Sequence, residues 1–248
     1  MDTIEEVVEK ILESKYCIAF TGSGISVESG IPSFRGPNGL WKKYRPEELA
    51  TPQAFSRDPI RVWEWYKWRM ELIFKAKPNP AHRVLAELER LGFLKCIITQ
   101  NIDDLHRLAG SKCIVELHGN IKRARCISCG YRVTWNKPPE EIPPHCPRCN
   151  SLLRPDVVWF GEELPRDQWM KALEHTNKAD LVLVIGTSGV VYPAAMIPYI
   201  VKENGGIVVE INIEDTALTN IADYILRGRA GEILESIYRV LKQRIERL

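Results

Sequence analysis

The stretch CIAFTGSGISVESGIPSFRG, Cys17 to Gly36, decides the fold. Its first four residues form a short apolar run of the kind that a strand buried on both faces of a parallel sheet requires. Gly22 and Gly24 then let the backbone turn tightly and approach a phosphate at a helix N-terminus. The turn is a poor dehydrogenase fingerprint: the third glycine of GxGxxG would fall on Val27, and no second strand follows promptly with an acidic residue at its end. A glycine turn without a ligand is the bland alternative. The long loop through Pro32, Phe34 and Arg35 argues against it, because such loops are usually functional. Phe34 and Arg35 are placed to close over a bound nucleotide.

Outward from this stretch, Val- and Ile-rich runs recur between helical patterns: CIIT at 96–99, IVEL at 114–117, LVLVI at 181–185 and IVVEIN at 207–212. The alternation predicts an α/β fold, a parallel sheet covered by helices. Periodicity and breakers place helices at roughly 3–14, 59–75, 80–91, 165–177, 194–204 and 230–247. Each strand ends in a polar cluster, TGSGIS, QNIDD, HG, GTS or NIED, and open parallel sheets bind ligands at those carboxyl ends. Two regions break the alternation, a tryptophan-rich helical one at 41–77 and one carrying cysteine pairs at 121–155. Both are expected to be inserts forming a smaller module, leaving 1–40, 78–120 and 156–248 as the main domain.

Whole-chain properties narrow the class. The 34 basic and 32 acidic residues leave a net charge of +2, which gives no case for a nucleic-acid or membrane-surface protein. No apolar run approaches transmembrane length and the start has no signal-peptide pattern, so a cytoplasmic location is expected. Of seven cysteines, Cys17, Cys96 and Cys113 sit in strand-like runs and read as buried free thiols. Cys126, Cys129, Cys146 and Cys149 form two CxxC pairs sixteen residues apart, a four-cysteine zinc-ribbon spacing. Four thiolates with no open position make a structural zinc that staples an insert too small for its own core. Two disulfides or a redox CxxC are the alternatives. Lys122, Arg123, Arg125 and Arg132 nearby are either a solvated face or a nucleic-acid patch.

WEWYKWRM, Trp63–Met70, reads as a buried helix with an arginine in it. Asp58 suits an N-cap and Pro59 the first turn. The helical neighbours of Arg69 are Trp65, Tyr66, Leu72 and Ile73, none acidic. Arg69 therefore stacks on Trp65, snorkels to water, or meets a carboxylate from a distant loop or a ligand.

The ordered set GSGIS with GIPSFRG, TQNIDDLH, ELHG, the four cysteines, GTS and EIN resembles the sirtuins, the NAD-dependent protein lysine deacylases. It runs from about residue 16 to the end of the chain through at least six motifs. Ser23 stands where the family has alanine, and Gly189 where a larger side chain is common. The resemblance implies a Rossmann-like domain with a smaller helical and zinc-ribbon module, NAD in the cleft between them, and one structural zinc. It implies His118 as general base with Asn101 as its catalytic companion. The reaction would remove the acyl group from protein lysines, giving nicotinamide, O-acyl-ADP-ribose and free lysine. Gly22, Ser23, Gly24, Ile25, Phe34, Arg35 and Ile102 would bind NAD, Asn101 and Asp103 would hold its nicotinamide side with an ordered water, and Gln100 the ribose. Gly186, Thr187, Ser188, Asn212, Ile213, Glu214 and Ala230 would take the adenosine half.

VVWFGE, Val157 to Glu162, would be the strand pairing with substrate backbone, with Val157, Val158, Phe160 and Gly161 as its substrate-binding residues. Tyr66 and Arg69 resemble the acyl-pocket pair of the branch that removes succinyl and malonyl groups, a clamp for a terminal carboxylate. The partners implied are acylated protein lysines, chromatin proteins among them by family analogy, with neither direct nucleic-acid contact nor a membrane. An NAD-sensing or zinc-ribbon binding module without catalysis is the rival class, and a hydride-transferring oxidoreductase a third.

Overall fold

The computed structural model describes residues 3–36 and 39–246. Six parallel strands, β1 (Cys17–Thr21), β2 (Leu94–Thr99), β3 (Ile114–Glu116), β7 (Leu181–Ile185), β8 (Ile207–Asn212) and β9 (Tyr224–Arg227), form one sheet in the order β3-β2-β1-β7-β8-β9. A separate antiparallel sheet, order β5-β4-β6, contains β4 (Gly119–Cys126), β5 (Arg132–Thr134) and β6 (Leu153–Val157). It straddles the domain boundaries expected at 120/121 and 155/156. Strand β9 was not expected; its YILR sequence alternates at a sheet edge, with only Leu226 buried. The parallel sheet reverses direction of growth at β1, with β2 on one side and β7 on the other. Such a switch point opens a crevice between diverging loops.

Strand alternation assigns the two faces of β1. Cys17 and Ala19 join the apolar layer made with α1 (Thr3–Glu13), α5 (Pro80–Arg90) and α9 (Ala230–Ile245). Ile18 and Phe20 join the opposite layer with α7 (Arg166–Lys178) and α8 (Met196–Glu203). Helix α9 was expected to reach 247, a position outside the described residues. The short helix α6 (Leu105–Leu108) follows the end of β2.

A third apolar cluster lies under the inserts, where α2 (Pro46–Leu49), α3 (Pro52–Arg57) and α4 (Pro59–Lys75) pack on β4 and β6. Asp58 caps α4 by accepting from the Arg61 N–H at 3.0 Å, with Pro59 in the first turn. Trp63 is fully buried and its indole N–H donates to the Leu153 carbonyl at 2.9 Å, bolting α4 to β6. Truncating such a tryptophan costs about 3–5 kcal/mol.

Three expectations change. Cys96 and Cys113 are joined as a disulfide instead of standing as free thiols. Their spacing did not reveal this, because only the pairing of β2 with β3 brings residue 113 beside residue 96. The segment expected as a strand through Val157–Glu162 is strand only to Val157 and then turns. The Val158 N–H donates to His118 O, closing the antiparallel pairing of Val157 with Gly119, and the Phe160 N–H donates to Ala50 O, so the ladder of β6 with β4 ends there. Finally, the basic cluster is neither an open patch nor a plain solvated face. Lys122 pairs with Asp104 at 3.2 Å, Arg123 with Glu116 at 2.7 Å, and Arg125 and Arg132 with Asp156 at 3.6 and 3.5 Å.

Candidate active site and zinc centre

The carboxyl ends of β1, β2, β7 and β8 face the small module across a cavity of about 850 Å³. That lies near the top of the range of ligand pockets, roughly 300–1,000 Å³. Its floor is two backbone turns in contact. A Cβ on Gly24 would come within 2.7 Å of the Gly186 Cα, so the glycines of GSG and GTS are what allow the two strand ends to meet. Gly189 has φ +68°, and a Cβ there would strike Leu218 at 2.5 Å, which accounts for the glycine at that position.

Of the expected cofactor residues, Gly22, Ser23, Gly24, Phe34, Arg35, Gln100, Asn101, Ile102, Gly186, Thr187, Ser188, Asn212, Ile213, Glu214 and Ala230 line the cavity. Ile25 does not line it, because its side chain is fully buried in the layer under the sheet. Asp103 stands one layer behind, its carboxylate accepting from the Ser26 hydroxyl at 2.7 Å and from the Leu105 N–H at 2.9 Å. Ser23 uses its extra oxygen to accept the Phe34 N–H at 3.4 Å, tying the following loop to the glycine turn.

The end of the cavity beside Asn101 and His118 is held by a dense polar network. The Asn101 amide donates to Gly22 O at 3.1 Å and to Ser26 Oγ at 3.2 Å. Gln100 donates to Thr187 Oγ1 at 2.9 Å, joining β2 to β7 across β1. His118 Nδ1 lies 2.9 Å from the Gln100 carbonyl. A carbonyl only accepts, so Nδ1 carries the proton and Nε2 keeps a lone pair. Burial pushes the His118 pKa below its ordinary 6.5, against a smaller opposing effect of the Gln100 hydrogen bond, so the ring is neutral at pH 7. Behind these groups, His82 and His106 are buried with pKa values lowered to about 3, chiefly by burial, and are neutral frame elements.

At the far end Tyr66, Arg69, Val157, Val158, Phe160 and Gly161 also line the cavity. Arg69 is 4% exposed, with its guanidinium carbon 4.4 Å from the Phe34 ring centre and 5.0 Å from that of Trp65. Trp41 stacks on both Phe34 and Trp65, completing the frame. Among the described residues no carboxylate pairs with Arg69. Burial lowers its pKa to about 10, which leaves it charged at pH 7. Tyr66 accepts the Trp159 indole N–H at 2.9 Å, and burial pushes its hydroxyl up to about 12, so its own proton is available to a ligand. The sequence reading missed Trp41, Trp159 and Ser26: Ser26 closes the GSGIS motif, but nothing in the motif shows that its hydroxyl would meet Asn101 and Asp103 from β2, and a tryptophan carries no local mark of a site.

Cys126, Cys129, Cys146 and Cys149 converge with all four sulfurs within 4.8 Å of one another. The Cys126–Cys149 and Cys129–Cys146 sulfur separations are 3.4 and 3.6 Å. Zn–S bonds of about 2.3 Å in a tetrahedron require sulfurs roughly 3.8 Å apart. The Ser128 and Cys129 N–H groups point at Cys126 Sγ and the Arg148 N–H at Cys146 Sγ, each at 3.4 Å, as ligand-bearing turns do for a thiolate. The cluster fits one structural zinc.

Fold and site define a nucleotide-binding α/β protein of the doubly wound type, with a zinc-ribbon module closing over the switch point of its sheet. The Sir2 family model matches residues 22–193. The NAD-dependent protein deacylase of Pyrococcus furiosus is 61% identical over 246 residues, covering 96% of this chain and 98% of that one. A Sir2 homologue variant in complex with ADP-ribose superposes with a TM-score of 0.96 at 53% identity, covering 99% of this chain and 98% of that chain. A Sir2 complex with a p53 peptide and NAD+ has a TM-score of 0.88 at 37% identity, over 98% and 99% of the two chains. The chain belongs to the Sir2, or sirtuin, family.

Proposed function

We propose that the protein is an NAD-dependent protein lysine deacylase whose preferred acyl groups, succinyl and malonyl, end in a carboxylate, with acetyl-lysine the lesser substrate. The deacylase assignment is supported by the relatives' names and by the complexes of Sir2 homologues with ADP-ribose and with peptide and NAD+. The acyl preference rests on Arg69, a buried, charged guanidinium that lines the cavity without a carboxylate partner among the described residues. Leaving such a group unpaired costs several kcal/mol, roughly, and a ligand carboxylate removes that cost.

Bound NAD supplies the leaving nicotinamide and the ribose that receives the acyl group. The glycine turns would admit its phosphates, Thr187, Ser188, Asn212 and Glu214 its adenosine half, and Phe34 and Arg35 would cover it. His118 takes a proton at Nε2, the nitrogen left free by the bond to Gln100 O. Asn101, fixed by Gly22 O and Ser26 Oγ, keeps its carboxamide oxygen for a ligand or water beside the ribose. Arg69 and the Tyr66 hydroxyl orient the acyl carboxylate by charge-assisted hydrogen bonds.

The test is kcat/KM for acetyl-, malonyl- and succinyl-lysine versions of one peptide, on the intact protein and on Arg69→Met. We expect the acidic chains to be preferred and their rate constant to fall about a hundredfold in Arg69→Met, or about 3 kcal/mol, with acetyl little changed. Equal losses on all three would sink the carboxylate clamp and leave the deacylase standing.

A further inference from the structure

The catalytic chemistry makes no use of Cys96 and Cys113. Cys96 lies in β2 and Cys113 immediately before β3, their Cα atoms 4.8 Å apart and their sulfurs bonded. His175 of α7 brings Nε2 to 3.6 Å from Cys113 Sγ, and the Tyr16 hydroxyl sits 2.9 Å from His175 Nδ1. We propose that this group is a thiol–disulfide exchange site, served by His175, that staples the edge strand carrying His118 and is opened by a dithiol reductant.

Mechanics gives the first argument. β3 is the edge of the parallel sheet, three residues long, and within that sheet it pairs only with β2. His118 follows it by two residues, while Gln100, Asn101 and Asp103 follow β2. The disulfide closes the chain from 96 to 113, a sequence separation of 17, and the closed segment includes Gln100, Asn101 and Asp103 and no part of the zinc ribbon. Neither cysteine lines the cavity, so the bond fixes the loop at its base without touching the ligands. A cross-link of that loop length removes substantial freedom from the open chain.

The second argument is chemical. When the Tyr16 O–H donates to Nδ1, His175 carries its proton at Nε2 and can donate toward Cys113 Sγ. Cys96 is wholly buried, whereas Cys113 and His175 are half-buried, so an incoming thiolate reaches the Cys113 sulfur. That attack forms a mixed disulfide at Cys113 and breaks the Cys96–Cys113 bond. Cys96 leaves as a thiolate with the electron pair, takes a proton, and has the Cys113 carbonyl 3.3 Å away as acceptor. The reagent's second thiol, as thiolate, then attacks its own sulfur in the mixed disulfide. Cys113 is released as a thiolate beside the His175 Nε2–H. The dithiol is oxidised to a disulfide by two electrons, and the protein gains two thiols.

The experiment uses the zinc-loaded protein purified in air. Alkylation under denaturing conditions, with and without prior phosphine reduction, should differ by two thiols, mapped to Cys96 and Cys113. Reduction of the native protein should lower Tm by roughly 5–10 °C without loss of zinc, and reoxidation should restore it. Cys113→Ser should match the reduced protein and ignore reductant; should that variant not fold, the wild-type arms decide alone. His175→Gln should keep the disulfide and its Tm but exchange with dithiothreitol about tenfold more slowly. Equal thiol counts, a Tm indifferent to reduction, or a metal bound by Cys96, Cys113 and His175 would each overturn the staple. An unchanged exchange rate in His175→Gln would overturn the role of the imidazole.

Discussion

Two buried arginines in the small module are treated in opposite ways. Arg154 on β6 makes a two-pronged pair with Glu162 at 2.5 and 2.8 Å, donates to Val157 O at 2.9 Å, and lies 3.5 Å from the centre of the Trp159 ring. Arg69 on α4 has aromatic faces around it and, among the described residues, no carboxylate. Trp159 belongs to both neighbourhoods, carrying Arg154 on its face and giving its N–H to Tyr66. The fold can satisfy a buried guanidinium from within when structure is the purpose. Leaving the second one open within the cavity puts its energy at the disposal of a ligand. The same contrast separates the two ends of the cavity: at one end His118, Asn101 and Gln100 are each held by protein partners, and at the other, among the described residues, the Arg69 charge has no carboxylate.

The largest expected effect falls on the reactive end. His118→Ala should lower kcat about a thousandfold or more on acetyl and succinyl substrates alike, since one base serves both. In the intact protein the acid limb of kcat/KM should have its midpoint below 6.5: the working form is neutral, burial lowers the pKa, and activity fails only as pH drops through that lowered value. A midpoint above 6.5, or a loss confined to one acyl chain, would break the division of labour.

Next comes Arg154→Met, which removes both prongs of the Glu162 pair and leaves that carboxylate only the Trp159 N–H at 2.9 Å and Arg125 at 3.9 Å. It should cost about 3 kcal/mol, a Tm decrease of roughly 5–10 °C, while the succinyl-to-acetyl ratio of the folded protein stays put. Arg69→Met should do the reverse, with Tm unchanged or higher and succinyl turnover down about a hundredfold. Swapped outcomes would mean that Arg69 is the structural residue and Arg154 the selective one. The smallest effect belongs to Tyr66→Phe, which removes one donor and the acceptor of the Trp159 N–H; about a tenfold loss on succinyl and little on acetyl is expected.

Motifs whose chemistry is local were legible in the sequence. The glycine turn, the CxxC pairs and the Asp58-Pro59 cap each declare themselves within a few residues, and polar clusters after apolar runs point to one sheet edge. The edge strand β9 was not legible, because four mixed residues at a sheet margin lack a strand's apolar signature. Nor was the pairing of Lys122 with Asp104 and of Arg123 with Glu116, since Asp104 is 18 residues from the first and Glu116 lies across the β3–β4 corner from the second. The Cys96–Cys113 bond was misread for the same reason: neighbouring strands, not neighbouring residues, make it.

The sequence by itself determined which side chains stand at the ends of the parallel strands, because a parallel sheet brings every carboxyl end to one edge. It also determined the ligand set of the zinc, because a four-thiolate site needs only spacing and turns. Only the tertiary structure decided which nitrogen of His118 is free, that Cys96 and Cys113 are bonded, and that Arg154 is paired while Arg69 is not. The protonation and energy of a buried polar group depend on what lies within about 4 Å of it. Elements distant in the chain supply those neighbours, and no short stretch of sequence records them.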